Sequence, residues 1–143
     1  MSVKDNEETL EGSIQSVLSQ TFEDFEFLIL DDNSIDNSSN ILKNYEKKDS
    51  RIKIFKNKHT LGLTKSLNYL IKEAEGSFIA RQDGDDHSHE SRFESQIKYL
   101  ITGDCDFCVS RAVNIQTGDM IPKLSYYAPQ NLVLKIKHPF IHG

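Results

Sequence analysis

The residues most able to do chemistry sit in "FIARQDGDDHSHESR", residues 78 to 92, where Asp83, Asp85, Asp86, His87 and His89 follow an apolar run. Three carboxylates within four positions repel one another unless a cation, a helix end or water relieves them. A divalent cation is one partner such a cluster can hold. A second acidic pair, Asp31 and Asp32, closes the apolar run "FEFLILDD". Cys105 and Cys108, in "CDFC", have the spacing of a redox or zinc half-site. However, "DFCVSRAVNI" reads as a strand, which sends residues three apart to opposite faces, and no second ligand pair accompanies them.

These residues need elements to hold them. Leu10, Ile14, Val17 and Leu18 form the apolar stripe of an amphipathic helix, with Asp5 and Glu8 as its expected capping box. "FEFLILDD" suits a strand buried on both faces of a parallel sheet. A short helix in "NSSNILKNYEKK" and an alternating strand in "RIKIFKN" follow. Next comes a helix in "TKSLNYLIKEAEG", with Leu67, Leu70, Ile71 and Ala74 on its inner face and Gly76 as its stop. "SFIA" is a strand, and Ser91 with Glu94 marks a second capping box, opening a helix that buries Phe93, Ile97, Leu100 and Ile101.

Alternating helices and strands predict an α/β domain with a mostly parallel sheet. Ligands in such sheets bind beyond the carboxyl ends of strands, where both acidic groups fall. The 143 residues make one domain or a piece of one, and no internal boundary is visible. "MSV" is too short for a buried first strand and "KIKHPFIHG" closes no element, so the expectation is a domain incomplete at both ends.

A formal net charge of -5 argues against a nucleic-acid partner. No apolar run reaches a membrane span and no secretory leader pattern opens the chain, so the expectation is the cytoplasmic side, free or peripheral at the inner face of the membrane. Asp83, Asp85, His87, His89 and Glu94 also fit positions 1, 3, 5, 7 and 12 of a calcium loop, but Ser88 stands where that loop needs Gly. A dinucleotide-binding oxidoreductase would need a Gly-rich turn after its first strand, which is absent.

In order along the chain, "SIQSVLSQTFEDFEFLILDDNSID", "NKHTLGLTKSLNYLIKEAEGSFIARQDGDD" and, less specifically, "SRFESQIKYL" and "HPFIHG" resemble glycosyltransferase family 2, whose members have the nucleotide-sugar-binding GT-A fold. The resemblance implies an inverting transferase acting on a UDP-sugar or related donor, with a glycan or lipid-linked acceptor in cell-surface polysaccharide synthesis. It places Asp32 on the imide N–H of the nucleotide base, with Asp31 the less favoured acid, and the backbone of Val3 against that base. Asn57 and Lys65 would face the nucleotide. Asp83 and Asp85 would form the Asp-x-Asp motif, Asp83 on the ribose and Asp85 on Mg²⁺ or Mn²⁺. Asp86, His87 and His89 become loop and helix-entry residues.

Lys4 and Asp5 stand where the family has a Tyr-Asn pair. The family's catalytic base, a downstream Asp, would lie beyond Gly143. The competing expectation is a nucleotide-binding remnant or interaction module without chemistry.

Overall fold

The computed structural model describes residues 1–103 and 106–110 and the backbone of a strand at 132–135. Cys105, the strand reading beyond Ser110 and "HPFIHG" lie outside the described residues.

The order is β1 (Ser2–Val3), α1 (Leu10–Leu18), β2 (Phe27–Asp31), α2 (Ser38–Lys48), β3 (Ile52–Lys56), α3 (Leu63–Glu73), β4 (Phe78–Ala80), α4 (Arg92–Thr102), β5 (Phe107–Val109) and β6 (Leu132–Lys135). β1, β2 and β3 form a parallel sheet in that order, with Val3 opposite Asp31 and Asp31 opposite Lys56. β4 and β5 flank β6 in a second, antiparallel sheet.

The predicted elements form, with local corrections. "MSV" does make a strand, though one of two residues. The Met1 amine donates to Leu28 O, Leu30 N donates to Met1 O, and Asp32 N donates to Val3 O. Neither capping box forms. Asp5 adopts φ 52°, and α1 starts only after Thr9. Glu94 accepts from Thr21 Oγ1 instead of closing back on Ser91, whose hydroxyl meets His89 Nδ1. α3 ends before Gly76, where Glu26 Oε1 accepts the backbone N–H groups of Glu75 and Gly76. Ile101, expected inside, is 63% exposed.

β2 alternates between two cores. Phe27 and Ile29 pack with Leu10, Ile14, Val17, Ile41 and Leu42 of α1 and α2. Leu28 and Leu30 pack against Leu70 of α3. Continuing this period-two alternation past the apolar run sends Asp31 toward α2 and Asp32 toward α3. Leu70 is the only fully buried member of the expected inner face of α3; Leu67, Ile71 and Ala74 line an apolar cleft of about 970 Å³ that also touches Met1 and Phe78.

Candidate donor-binding site

The two acids that end β2 do different work. Asp31, 1% exposed, accepts from Ser34 N at 2.8 Å and from the Ser39 hydroxyl, and pairs with Lys56 Nζ at 3.1 Å. Burial pushes its pKa up, but the Ser39 and Ser34 donors outweigh this and hold the carboxyl below its ordinary value. Asp31 thereby staples the turn between β2 and α2.

Asp32, 2% exposed, reaches the loop before α3. Its Oδ1 accepts from Asn57 Nδ2 at 2.7 Å and Leu61 N at 2.8 Å, and its Oδ2 from Gly62 N at 2.8 Å. Burial again acts upward, and the Leu61, Asn57 and Gly62 donors again win, so the pKa is lowered. A carboxylate offers about four lone-pair sites, so three donors leave room for one more on Oδ2. Gly62 has φ 87°, in the left-handed region, and that bend aims two successive N–H groups at one carboxylate.

The other residues expected at the base pocket are placed unevenly. Asn57 is half-buried and bridges Asp32 to Ser66 Oγ. Val3 is fully buried, with its carbonyl committed to Asp32 N. Lys65 is exposed on the first turn of α3. Lys4 Nζ reaches Asn33 O at 3.3 Å and Asp5 Oδ2 at 3.4 Å. Asp5 and Asn33, both in left-handed backbone conformations, are tied together through Ser34 and Ile35: Asp5 N donates to Ser34 Oγ and Ile35 N to Asp5 Oδ1.

The acidic loop after β4 is clamped through its backbone. Asp83 O accepts from Ser13 Oγ at 2.8 Å, Gly84 O from Thr9 Oγ1 at 3.0 Å, and Asp86 O from Gln82 Nε2 at 2.8 Å. A Cβ at Gly84 would stand 3.2 Å from Asn6 Oδ1, so the loop rests on the segment leaving β1. That same Asn6 oxygen accepts Lys4 N. One short segment, Lys4 to Asn6, therefore touches both the end of β2 and the acidic loop.

The acids of this loop differ in availability. Asp83 forms a two-pronged pair with Arg81, Nε to Oδ1 at 3.1 Å and Nη2 to Oδ2 at 2.8 Å. Asp85 is exposed and has no hydrogen-bond or ion-pair partner among the described residues. Burial, then the charges of Asp83 and Asp85, push the Asp86 carboxyl up, and its Oδ2 is buried without a hydrogen-bond partner. His87 and His89 are exposed.

Among the described residues no group of three or more His, Cys, Asp or Glu is arranged to hold a metal by itself. The donors present do fit Mg²⁺ or Mn²⁺ held by one or two carboxylates with phosphate oxygens and water completing the shell. Asp85 is exposed for this role, and a cation there would relieve the charges of Asp83 and Asp85 that, after burial, raise the Asp86 carboxyl.

Sequence reasoning missed Arg81, Gln82 and Arg92, together with the polar stripe formed by Thr9 at the N-cap of α1, Ser13 and Ser16 on it, and Gln20 just beyond it. The stripe was visible as spacings of four, three and four beside the apolar one. Buried polar side chains need partners, so a polar stripe on an inward face implies a second polar element packed against it.

The parallel sheet β1-β2-β3, packed against helices and ending β2 in Asp31 and Asp32, is of the α/β class in which ligands bind beyond the carboxyl ends of the strands. The chain belongs to the glycosyl transferase family 2, whose model matches residues 1–143. It is 35% identical over 126 residues to the Escherichia coli UDP-Glc:alpha-D-GlcNAc-diphosphoundecaprenol beta-1,3-glucosyltransferase WfgD, covering 88% of this chain and 48% of that protein. It is 33% identical over 150 residues to the E. coli O-antigen biosynthesis glycosyltransferase WbnJ, covering 99% and 57%. The chain thus spans about half the length of these curated relatives.

The solved structure of S. aureus TarS 1-349 superposes with a TM-score of 0.80 at 19% identity, over 94% of this chain and 45% of that one. The Pyrobaculum calidifontis mannosyltransferase PcManGT, solved with GDP-Man and Mn²⁺, gives 0.76 at 12% identity, over 94% and 42%. These likenesses establish the GT-A fold. Among the described residues no helix is long and apolar enough to cross a membrane.

Proposed function

We propose that residues 1–143 form the donor-binding portion of an inverting glycosyltransferase that uses a UDP-sugar or related nucleotide-sugar. The observation that carries this reading is the shared rim: Asn6 supports the Asp83–Asp86 loop while its neighbour Lys4 reaches the end of β2, beside Asp32. A base-recognising acid and a diphosphate-end acid pair on one rim suit the two ends of a nucleoside diphosphate. TarS has been solved with UDP and with UDP-GlcNAc, which supports a uridine donor.

In this reading Asp32, acceptor-only when ionised, takes the imide N–H of uracil on Oδ2. Asp32 is 2% exposed, so in this reading the loop at 57–62 would have to move aside to admit the base. Val3 would line the base through its backbone, Asn57 would orient Asp32, and Lys65 would offer a point charge to the nucleotide. Asp83 would hold the ribose hydroxyls and Asp85 the cation, which when bound stabilises charge on the departing diphosphate. The acceptor, a growing surface glycan or its lipid-linked precursor, and the base that deprotonates it would belong to the rest of the protein.

The test is isothermal titration of UDP into the purified chain with Mn²⁺, repeated with chelator. Binding that needs the metal is the expected result. Absence of binding in both conditions, with the fold intact by circular dichroism, would remove the donor-site reading.

A further inference from the structure

Gln82 immediately precedes the acidic loop and is 3% exposed. Its amide nitrogen donates to Asp86 O at 2.8 Å, Ser13 Oγ at 3.2 Å and Asp83 O at 3.3 Å. Its oxygen accepts from Ser88 Oγ at 2.6 Å and Arg92 Nη1 at 2.9 Å. One amide thus bonds to carbonyls at both ends of the turn and to the residue at which α4 begins.

Arg92 completes the frame. Buried to 6% exposure, it donates from Nη1 to Ser88 Oγ at 2.7 Å and from Nη2 to Arg81 O at 2.9 Å. Burial lowers its pKa to about 10, opposed by Asp86, so it stays cationic at neutral pH. Ser88 N donates to Ser16 Oγ, and Gln20 links His89 O to Phe93 N. The bonds named above end on backbone or on other buried polar groups, and none of them uses the Asp85 carboxylate.

We propose that Gln82 is a positioning residue of the donor site: through Arg92, Ser88 and Ser13 it fixes the backbone between Asp83 and Asp86, so that Asp85 faces a bound diphosphate at a set distance from Asp83. The proposal rests on the donor-site reading for its ligand, but the frame itself is a property of the chain. Fixing a ligand carboxylate through groups behind it is worth about 10- to 100-fold in metal affinity where such partners have been removed. Hydrogen bonds that share donors and acceptors in a buried, low-dielectric network also strengthen one another and so favour one loop conformation over its alternatives.

Gln82→Met keeps most of the volume and removes every amide bond. The experiment compares it with the unsubstituted chain by local amide hydrogen exchange and by UDP titration with and without Mn²⁺. The expected result is faster exchange confined to residues 83–90, unchanged exchange in β2 and α2, and a metal-dependent UDP affinity about 10- to 100-fold weaker, with metal-free affinity unmoved.

Ser88→Ala removes one hydroxyl only and should reproduce the same local pattern with a smaller loss, which keeps the test open if Gln82→Met does not fold. Unchanged loop exchange and affinity in both variants would overturn the proposal. So would exchange that rises uniformly, since that marks a residue serving global stability alone. If the unsubstituted chain binds no UDP with Mn²⁺, the donor-site reading fails, and the exchange arm still decides whether Gln82 sets the loop.

Discussion

Asp31 and Asp32 are adjacent in sequence but lie on opposite faces of the sheet, Asp31 bonded to Ser39 of α2 and Asp32 to the Leu61 and Gly62 amides that open α3. The strand period makes this unavoidable. It also gives the two acids different partners: Asp31 is tied to α2 and Lys56, whereas Asp32 holds the loop that precedes α3. Asp31→Ala should therefore lower stability by about 1–3 kcal/mol through the donors it leaves unpaired. UDP affinity, read by titration well below the unfolding temperature, should stay within about twofold, below the tenfold that 1.4 kcal/mol would give. A large loss of affinity with full stability would reverse the assignment of the two acids.

Asp32→Asn should weaken uridine nucleotides more than it weakens inorganic diphosphate. The substitution replaces one acceptor oxygen by a donor nitrogen, which cannot accept an imide N–H. Competition titrations with UDP and with pyrophosphate measure the two losses separately, and equal weakening would take Asp32 out of base recognition.

The same residue sets an acid-stability signature. Its folded pKa is depressed, so its contribution is complete above the unfolded value of about 3.9 and disappears as pH falls through the lower, folded one. The charge of Lys4 acts in the same direction. Unfolding temperatures of the chain and of Asp32→Asn should differ most near neutral pH and converge below about pH 4. A gap that widens on acidification would contradict the lowered pKa.

Asp85→Ala should abolish the metal-dependent part of UDP binding and leave the unfolding temperature unchanged, because an exposed carboxylate without a protein partner contributes little to folding. Thermal unfolding and titration in Mn²⁺ and in chelator give both readings. Loss of the fold would assign Asp85 a structural role instead.

Much of this architecture was legible from periodicity. The stripe Leu10, Ile14, Val17 gave α1, and the run Phe27 to Leu30 gave a strand buried on both faces, as found. The acids were legible too, since they end strands. What could not be read was which partners they meet. Gln82 and Ser88 act through contacts with α1 across roughly seventy positions of sequence, Gln82 Nε2 with Ser13 Oγ and Ser88 N with Ser16 Oγ, and Arg92 is tied to both of them. In both capping boxes the side chain meets a partner from a distant segment instead, Asp5 the Ile35 N–H and Glu94 the Thr21 hydroxyl. Ile101 continued an apolar stripe that the neighbouring elements do not cover.

The groove beside β1 yields the last prediction. The Met1 amine is buried against Leu28 O, in the apolar cleft between α3 and β4, and burial lowers its pKa from 8.0 to about 5. Asp83 nearby acts upward and Arg81 downward, and neither cancels the burial. In the window between about 5 and 8 the unfolded chain holds a proton that the folded chain does not, so stability falls as pH falls across it. Acetylating the amine removes that proton and keeps an N–H for Leu28 O. The difference in unfolding temperature between acetylated and free chains should therefore be smallest near pH 8 and grow toward pH 5. An apolar extended segment joined ahead of Met1 should add stability at every pH by filling the cleft, whereas a Gly-Ser segment of equal length should reproduce only the effect of acetylation. If the apolar segment adds nothing beyond the Gly-Ser one, apolar contact in this cleft does not stabilise the chain.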